Sequence, residues 1–208
     1  MEQARLEAFS DGVFAVAITL LALDLAVAGP GHDSLATQLG DRWPSYAAYV
    51  VSFFTIGITW VNHHTLFKSF AIVDRMLLFL NLTLLMFIVA IPFGTATMAA
   101  YLRHGGNDAH LAAAIYAAIL EGMAVSFSAI FFWSVRNDRR RHEPLQPDTV
   151  RSALVRFGAG MFVYLAAIAI AFVSAPAALV VIAVVAVYYV FENLPAPSAE
   201  EEGAGDGR

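Results

Sequence analysis

The chain has no cysteine, so it holds no disulfide framework, no thiolate metal site and no redox chemistry at sulfur. Charge is scarce as well. Charged residues make up 14% of the 208 positions and apolar ones 59%, against about 25% and 45–50% in soluble domains, which excludes a water-soluble enzyme and points to a membrane protein. The formal charge of −5 owes much to Glu200, Glu201, Glu202 and Asp206 in one short tail. No basic patch for nucleic acid is left over, and no internal repeat is evident. Runs of about ten residues alternating apolar and polar are also missing, which excludes a membrane β-barrel.

What the chain does have is six apolar stretches, at about 9–28, 46–66, 76–99, 111–134, 154–173 and 177–191. Most reach the roughly 20 residues that a helix needs to cross a bilayer core of about 30 Å. The last is shorter and needs bilayer thinning or its flanking residues. Ser174-Ala175-Pro176 joins the fifth and sixth in a tight hairpin. The expectation is an all-α, polytopic membrane protein: a six-helix domain over 1–194 and a disordered acidic tail over 195–208, too polar to order itself. Ala26-Val27-Ala28 has the form of a leader cleavage site, but Glu2 and Glu7 outweigh Arg5 and Asp24 precedes the cut. The first stretch therefore reads as a retained span.

Basic residues set the orientation. Arg5, Lys68, Arg75, Arg136, Arg139, Arg140, Arg141, Arg151 and Arg156 fall on one side of the six spans, and only Arg42 and Arg103 on the other. The positive-inside rule then puts both termini in the cytoplasm. The Arg136–Arg141 cluster reads as a topology signal and a contact for lipid headgroups.

The first span is otherwise apolar but carries Ser10, Asp11, Thr19 and Asp24. At 100° per residue Val16, Thr19, Leu20, Leu23 and Val27 share one stripe, Asp11 projects to nearly the opposite side and Ser10 lies between. Periodicity alone favours ordinary packing surface, since a threonine can bond its own backbone. His63 and His64 are adjacent, hence about 100° apart, and no further close-spaced ligands accompany them, so hydrogen-bonding and interfacial roles fit better than metal binding. Pro92 and Gly94 in the third span read as a kink or packing notch.

Three motifs change the weighing: Arg5-Leu-Glu-Ala-Phe9-Ser10-Asp11-Gly12 followed by FAVAITLLALDL, then Trp60-Val-Asn62-His63-His64-Thr-Leu-Phe67, then DRMLLFLNLTLLMFIVAIPFGTA from Asp74. They resemble the potassium channels of the transmembrane protein 175 family, in particular its bacterial members with a single six-helix repeat. The second half of the chain resembles them only in span count and length. The resemblance implies a homotetramer around a central pore lined by the first helix, set in the bacterial inner (plasma) membrane, with potassium as permeant ion and no cofactor. TVGYG, the usual potassium filter, is absent, so filter carbonyls are not available to coordinate ions.

Carried over by position, Val16 forms a hydrophobic ring where the family more usually has Ile or Leu. Thr19 is then the selective hydroxyl ring, and Leu20 and Leu23 further apolar layers. Arg5, Phe9, Ser10, Asp11, Trp60, Asn62 and His63 form a scaffold that pins the pore helix to its neighbours. Asp24 is either a charged outer mouth or a solvated interfacial residue. The alternative function is a proton-coupled secondary transporter with Asp11 and His63 in the relay. An intramembrane enzyme is disfavoured, because no nucleophile stands in a recognisable motif.

Overall fold

The structure is a computed structural model and describes residues 3–142 and 145–192; the acidic tail expected over 195–208 lies outside them. Among the described residues it is all-helical: α1 (Gln3–Leu20), continued by a 3₁₀ segment Leu21–Leu25, α2 (Leu35–Asp41), α3 (Trp43–Lys68), α4 (Arg75–Leu102), α5 (Gly106–Val135), α6 (Pro147–Ala171) and α7 (Ala175–Glu192), with a 3₁₀ turn at Asp138–Arg140. Five helices are long and apolar enough to cross a membrane: α1 with its extension, α3, α4, α5 and α6. The sixth apolar stretch is helical too, but its apolar part, Ala175–Tyr189, is shorter.

Each long helix begins before the apolar stretch that announced it. Helix α3 begins at Trp43 with Pro44 in its first turn, where a missing N–H costs nothing. Asp74 caps α4 by accepting from the Leu77 N–H at 2.8 Å. Helix α2 stands in a segment that carries no apolar run. Ser34 creates it, its hydroxyl accepting from the Thr37 N–H, the usual way a short polar helix starts.

Helix α4 packs mainly on α5, α5 on α6 and α6 on α7, while α7 returns to meet α3 and α5, so these five close into one bundle. Helix α1 lies outside, against α3 and α4. Pro92 does not interrupt α4; the packing notch beside it is Gly94. A Cβ there would stand 2.9 Å from Ile119 Cδ1, and one at Gly122 would meet the Phe87 ring. The two glycines let α4 and α5 approach closely, as small residues do in membrane bundles.

Polar side chains lock the bundle from within. Thr95 donates to the Ile91 carbonyl at 2.8 Å, and Ser52 lies 2.7 Å from both Thr95 Oγ1 and Tyr116 Oη. Since the Thr95 proton is already placed, Ser52 donates to Thr95 and Tyr116 donates to Ser52, which ties α3, α4 and α5 together. At one end Gln3 donates to the Phe67 carbonyl and Phe70 pairs with Arg141 in an isolated bridge. The amino-terminal end of α1, the α3–α4 turn and the arginine-rich turn after α5 thus gather on one face. At the other, Arg103 pairs with Asp41 at 2.9 Å.

Candidate pore helix and its anchor

Helix α1 has two faces. Leu6, Ser10, Phe14, Ala17 and, at the start of the 3₁₀ segment, Leu21 are buried against α3 and α4. Opposite them Phe9, Gly12, Val16, Thr19 and Leu23 form a row at helical spacing, all exposed in the single chain. Val16 is 55% and Leu23 71% accessible, while Leu20, at 38%, stands at the row's margin. The row is apolar except for one hydroxyl. Thr19 Oγ1 donates to the Val16 carbonyl at 2.9 Å, which directs its proton back along the helix and leaves the oxygen lone pairs for an external partner.

On the buried face the anchor is a chain of hydrogen bonds. Ser10 Oγ donates to the Leu6 carbonyl at 2.9 Å. Its only proton is thereby used, so it accepts from Asn81 Nδ2 at 2.9 Å. The Asn81 Oδ1 faces His63 Nε2 at 2.9 Å and takes that nitrogen's proton, which assigns the tautomer. Aromatic rings hold the imidazole: Phe67 stacks on it at 3.9 Å between centroids and Phe14 leans in at 5.3 Å. Ser10, His63 and Asn81 are all buried, one each from α1, α3 and α4. A fully satisfied buried network of this kind specifies one packing arrangement.

Asp11 belongs to a separate contact. Its Oδ1 accepts from Trp60 Nε1 at 2.9 Å at the rim of the α1–α3 seam, where Trp60 remains 40% exposed. Asp11 and His63 therefore have different hydrogen-bond partners. Arg5 and Phe9 are placed on the exposed face of α1, outside both contacts. Asn62 is turned to the other side of α3, where it lines a cleft toward α5. Asp24 is exposed in the 3₁₀ segment. His64 stacks loosely on Trp60 at 6.0 Å. Among the described residues no group of His, Cys, Asp and Glu could hold a metal ion.

Two anchors escape the sequence reading. Asn81 was findable as a lone carboxamide in a long apolar run, a placement that demands a partner. Asp74 is the other: besides capping α4 it accepts from Trp133 Nε1 at 3.1 Å and faces Arg140 Nε at 3.4 Å. The Arg140 guanidinium lies 3.5 Å over the Trp133 ring. One arginine of the basic cluster is thus a structural clamp between α4 and α5.

This arrangement, with one face of a helix anchored by polar bonds and the other apolar but for a hydroxyl, has counterparts in known proteins. A potassium channel of Streptomyces collinus is 46% identical over 202 residues, covering 96% of this chain and 97% of its own. The chain belongs to the TMEM175 family. The model of that family, described as the endosomal/lysosomal potassium channel TMEM175, matches residues 5–92, which take in α1 from Arg5 onward and the whole Ser10–Asn81–His63 anchor. A second TMEM175 relative, a potassium channel of Chamaesiphon minutus, is 36% identical over 197 residues, covering 92% of this chain and 95% of its own. The crystal structure of a lysosomal potassium-selective channel TMEM175 homolog from Chamaesiphon minutus superposes with a TM-score of 0.80 at 37% identity, covering 92% of this chain and 97% of that one. The TMEM175 family consists of ion channels, not enzymes.

Proposed function

We propose that this chain is a potassium-permeable cation channel of the bacterial inner membrane, built from four copies around a pore lined by α1. The observation that carries this reading is the exposed row Phe9, Gly12, Val16, Thr19 and Leu23. A row this apolar is covered either by lipid or by its own copies, and in the second case Thr19, whose proton is spent on the Val16 carbonyl, offers an acceptor oxygen to the axis. In a closed ring four Val16 side chains make a constriction that excludes water, and four Thr19 oxygens replace part of a cation's hydration shell. The names of the Streptomyces and Chamaesiphon relatives support potassium as the ion. Reconstituted protein in planar bilayers under a potassium/sodium gradient should give unitary current steps that reverse toward the potassium potential. Saturable coupled uptake without steps would instead favour the proton-coupled transporter.

In this reading α7 is the sixth span and both termini are cytoplasmic. The structure gathers the basic turns at one end, which gives the positive-inside argument a physical face. Because the chain has no cysteine, one introduced thiol reports alone. A cysteine at Gln38 should react with an impermeant maleimide added outside cells, and one at Gln146 should not; the reverse pattern would overturn the orientation.

Thr19→Val keeps shape and volume but removes the oxygens. On an exposed position this leaves the bundle intact, and the preference for potassium over sodium should fall about tenfold, equivalent to roughly 1.4 kcal/mol of lost discrimination. An unchanged reversal potential in a conducting channel would assign selectivity elsewhere.

A further inference from the structure

The five-helix bundle is not filled at its centre. Helix α3 packs on α4 and α7 but not closely on α5 or α6, and a cleft from the arginine-rich end runs into the space between them. Its outer part, about 220 Å³, is lined by Thr65, Ser69 and Thr149 among others. Its inner part, about 80 Å³, lies among Met123, Phe127 and Phe157. Asn62, Phe127, Phe157 and Tyr189 line both, so the two parts are continuous. The lining residue on α3 farthest from the mouth is Thr55, halfway along Trp43–Lys68, which puts the inner end near the middle of a span. About one turn beyond it Ser52 is buried and already tied to Thr95 and Tyr116, so the cleft is blind. No residue of α1 lines it, and it is separate from the proposed pore.

The polar groups on its walls are of two kinds. The Thr55, Thr59 and Ser128 hydroxyls each donate to the carbonyl four residues earlier, at 2.8, 2.8 and 2.7 Å, and offer the cleft only acceptor lone pairs. Tyr164 lines the inner part and is 5% exposed. Its hydroxyl, like the Asn62 carboxamide, has no hydrogen-bond partner among the described residues. A buried tyrosine hydroxyl usually finds one. The cleft thus presents donors on Asn62 and Tyr164 and acceptors on the three hydroxyls, and they do not bond one another. A cation would serve the acceptors alone and an anion the donors alone. A small neutral molecule that both donates and accepts serves both.

We propose that the cleft is a water site: a file of ordered waters enters from the arginine-rich end, passes Asn62 and ends between Tyr164 and Thr55. At roughly 30 Å³ per water the inner part has room for at least two, and a buried water makes about three hydrogen bonds. Two such waters link the Tyr164 hydroxyl on α6 and the Asn62 carboxamide to the threonine oxygens on α3. They supply the contact that α3 lacks with α5 and α6. They also give Asn62, which stands in the Trp60–Phe67 motif and outside the anchor, a role of its own.

Radiolytic hydroxyl-radical footprinting of the full-length protein in lipid nanodiscs tests this, because radicals made from bound water oxidise the side chains beside it. Met123, which lines the inner part, should oxidise well above Met98, which is buried on α4 outside the cleft. Asn62→Leu keeps nearly the same volume but removes the carboxamide, and Met123 oxidation should fall severalfold toward the Met98 level. A cleft that is dry, or filled by a lipid chain, would leave Met123 at the Met98 level in the wild type, and that result would overturn the proposal. An unchanged Met123 rate in Asn62→Leu would do the same. Tyr164→Phe gives an independent sign and does not depend on how Asn62→Leu folds. A hydroxyl bonded to water stabilises, so its removal should lower the melting midpoint in detergent. A hydroxyl buried without a partner destabilises, so a raised midpoint would show the site unhydrated and overturn the assignment.

Discussion

Tetramers carrying Val16→Asn are expected to conduct where the wild type is closed. The barrier in an apolar constriction is the cost of wetting it, and four amides supply hydrogen bonds that let water stay. Each ~1.4 kcal/mol removed from that barrier raises the leak tenfold, so a change of at least that size is expected. Val16 is 55% exposed in the single chain and touches none of the anchor, so folding is spared and the current reports on the constriction alone. Planar-bilayer recordings at equal protein density decide it: a leak no greater than wild type would remove Val16 from the gate.

The second large effect is on stability. Asn81→Leu keeps nearly the same volume but strands the His63 Nε2 proton and takes away the Ser10 acceptor's donor, inside a site where all three residues are buried to 1% or less. An unsatisfied buried group costs about 1–3 kcal/mol. Measured interhelical hydrogen bonds in membranes average less, because an unfolded helix in lipid also finds partners. Here the three side chains are buried in the α1–α3–α4 seam, so the larger figure applies. The melting midpoint in detergent should fall by several degrees, with loss of the assembled form on size exclusion. Asp11→Ala should cost less, since Trp60 is partly exposed and can turn to other acceptors. A midpoint equal to wild type for Asn81→Leu, or a larger fall for Asp11→Ala, would reverse the ranking of the two contacts.

Helix positions were legible in the sequence because apolar length and the demands of a bilayer are one-dimensional facts. The capped segment Leu35–Asp41 is not, since a two-turn polar helix leaves no hydrophobic period and its start rests on one side-chain bond, from Ser34. A 100° projection puts Val16, Thr19 and Leu23 on one stripe, but it adds Leu20, which stands at the row's margin, and Val27, which lies beyond the helix, and it leaves out Phe9 and Gly12. The anchor is half legible. Ser10 and His63 stand in the two motifs that the sequence singles out, but the group that bridges them, Asn81, is on α4, and no spacing along the chain reveals which of three helices meet. Arg5, Phe9 and Asn62 were grouped with them by motif alone, and a motif records adjacency in sequence, not the face that a residue presents. Asp74 shows the same limit. Its capping role was local, while its clasp on Trp133 and Arg140 spans some sixty residues.

The passage of α1 into a 3₁₀ segment at Leu21–Leu25 has its own consequence for the row. An α-helix advances 100° per residue and sets Leu20 and Leu23 about 60° apart, whereas a threefold helix brings residues i and i+3 into register. Leu23 then stands over Leu20, and Asp24 over Leu21. The same five residues rise about 2.0 Å each instead of about 1.5 Å, a stretch of roughly 2.5 Å. In the proposed tetramer this turns two staggered leucine layers into one vertical column per subunit. Asp24, exposed in the same segment, shares that threefold pitch, so the spacing of the layers above Thr19 is set by a single 3₁₀ turn.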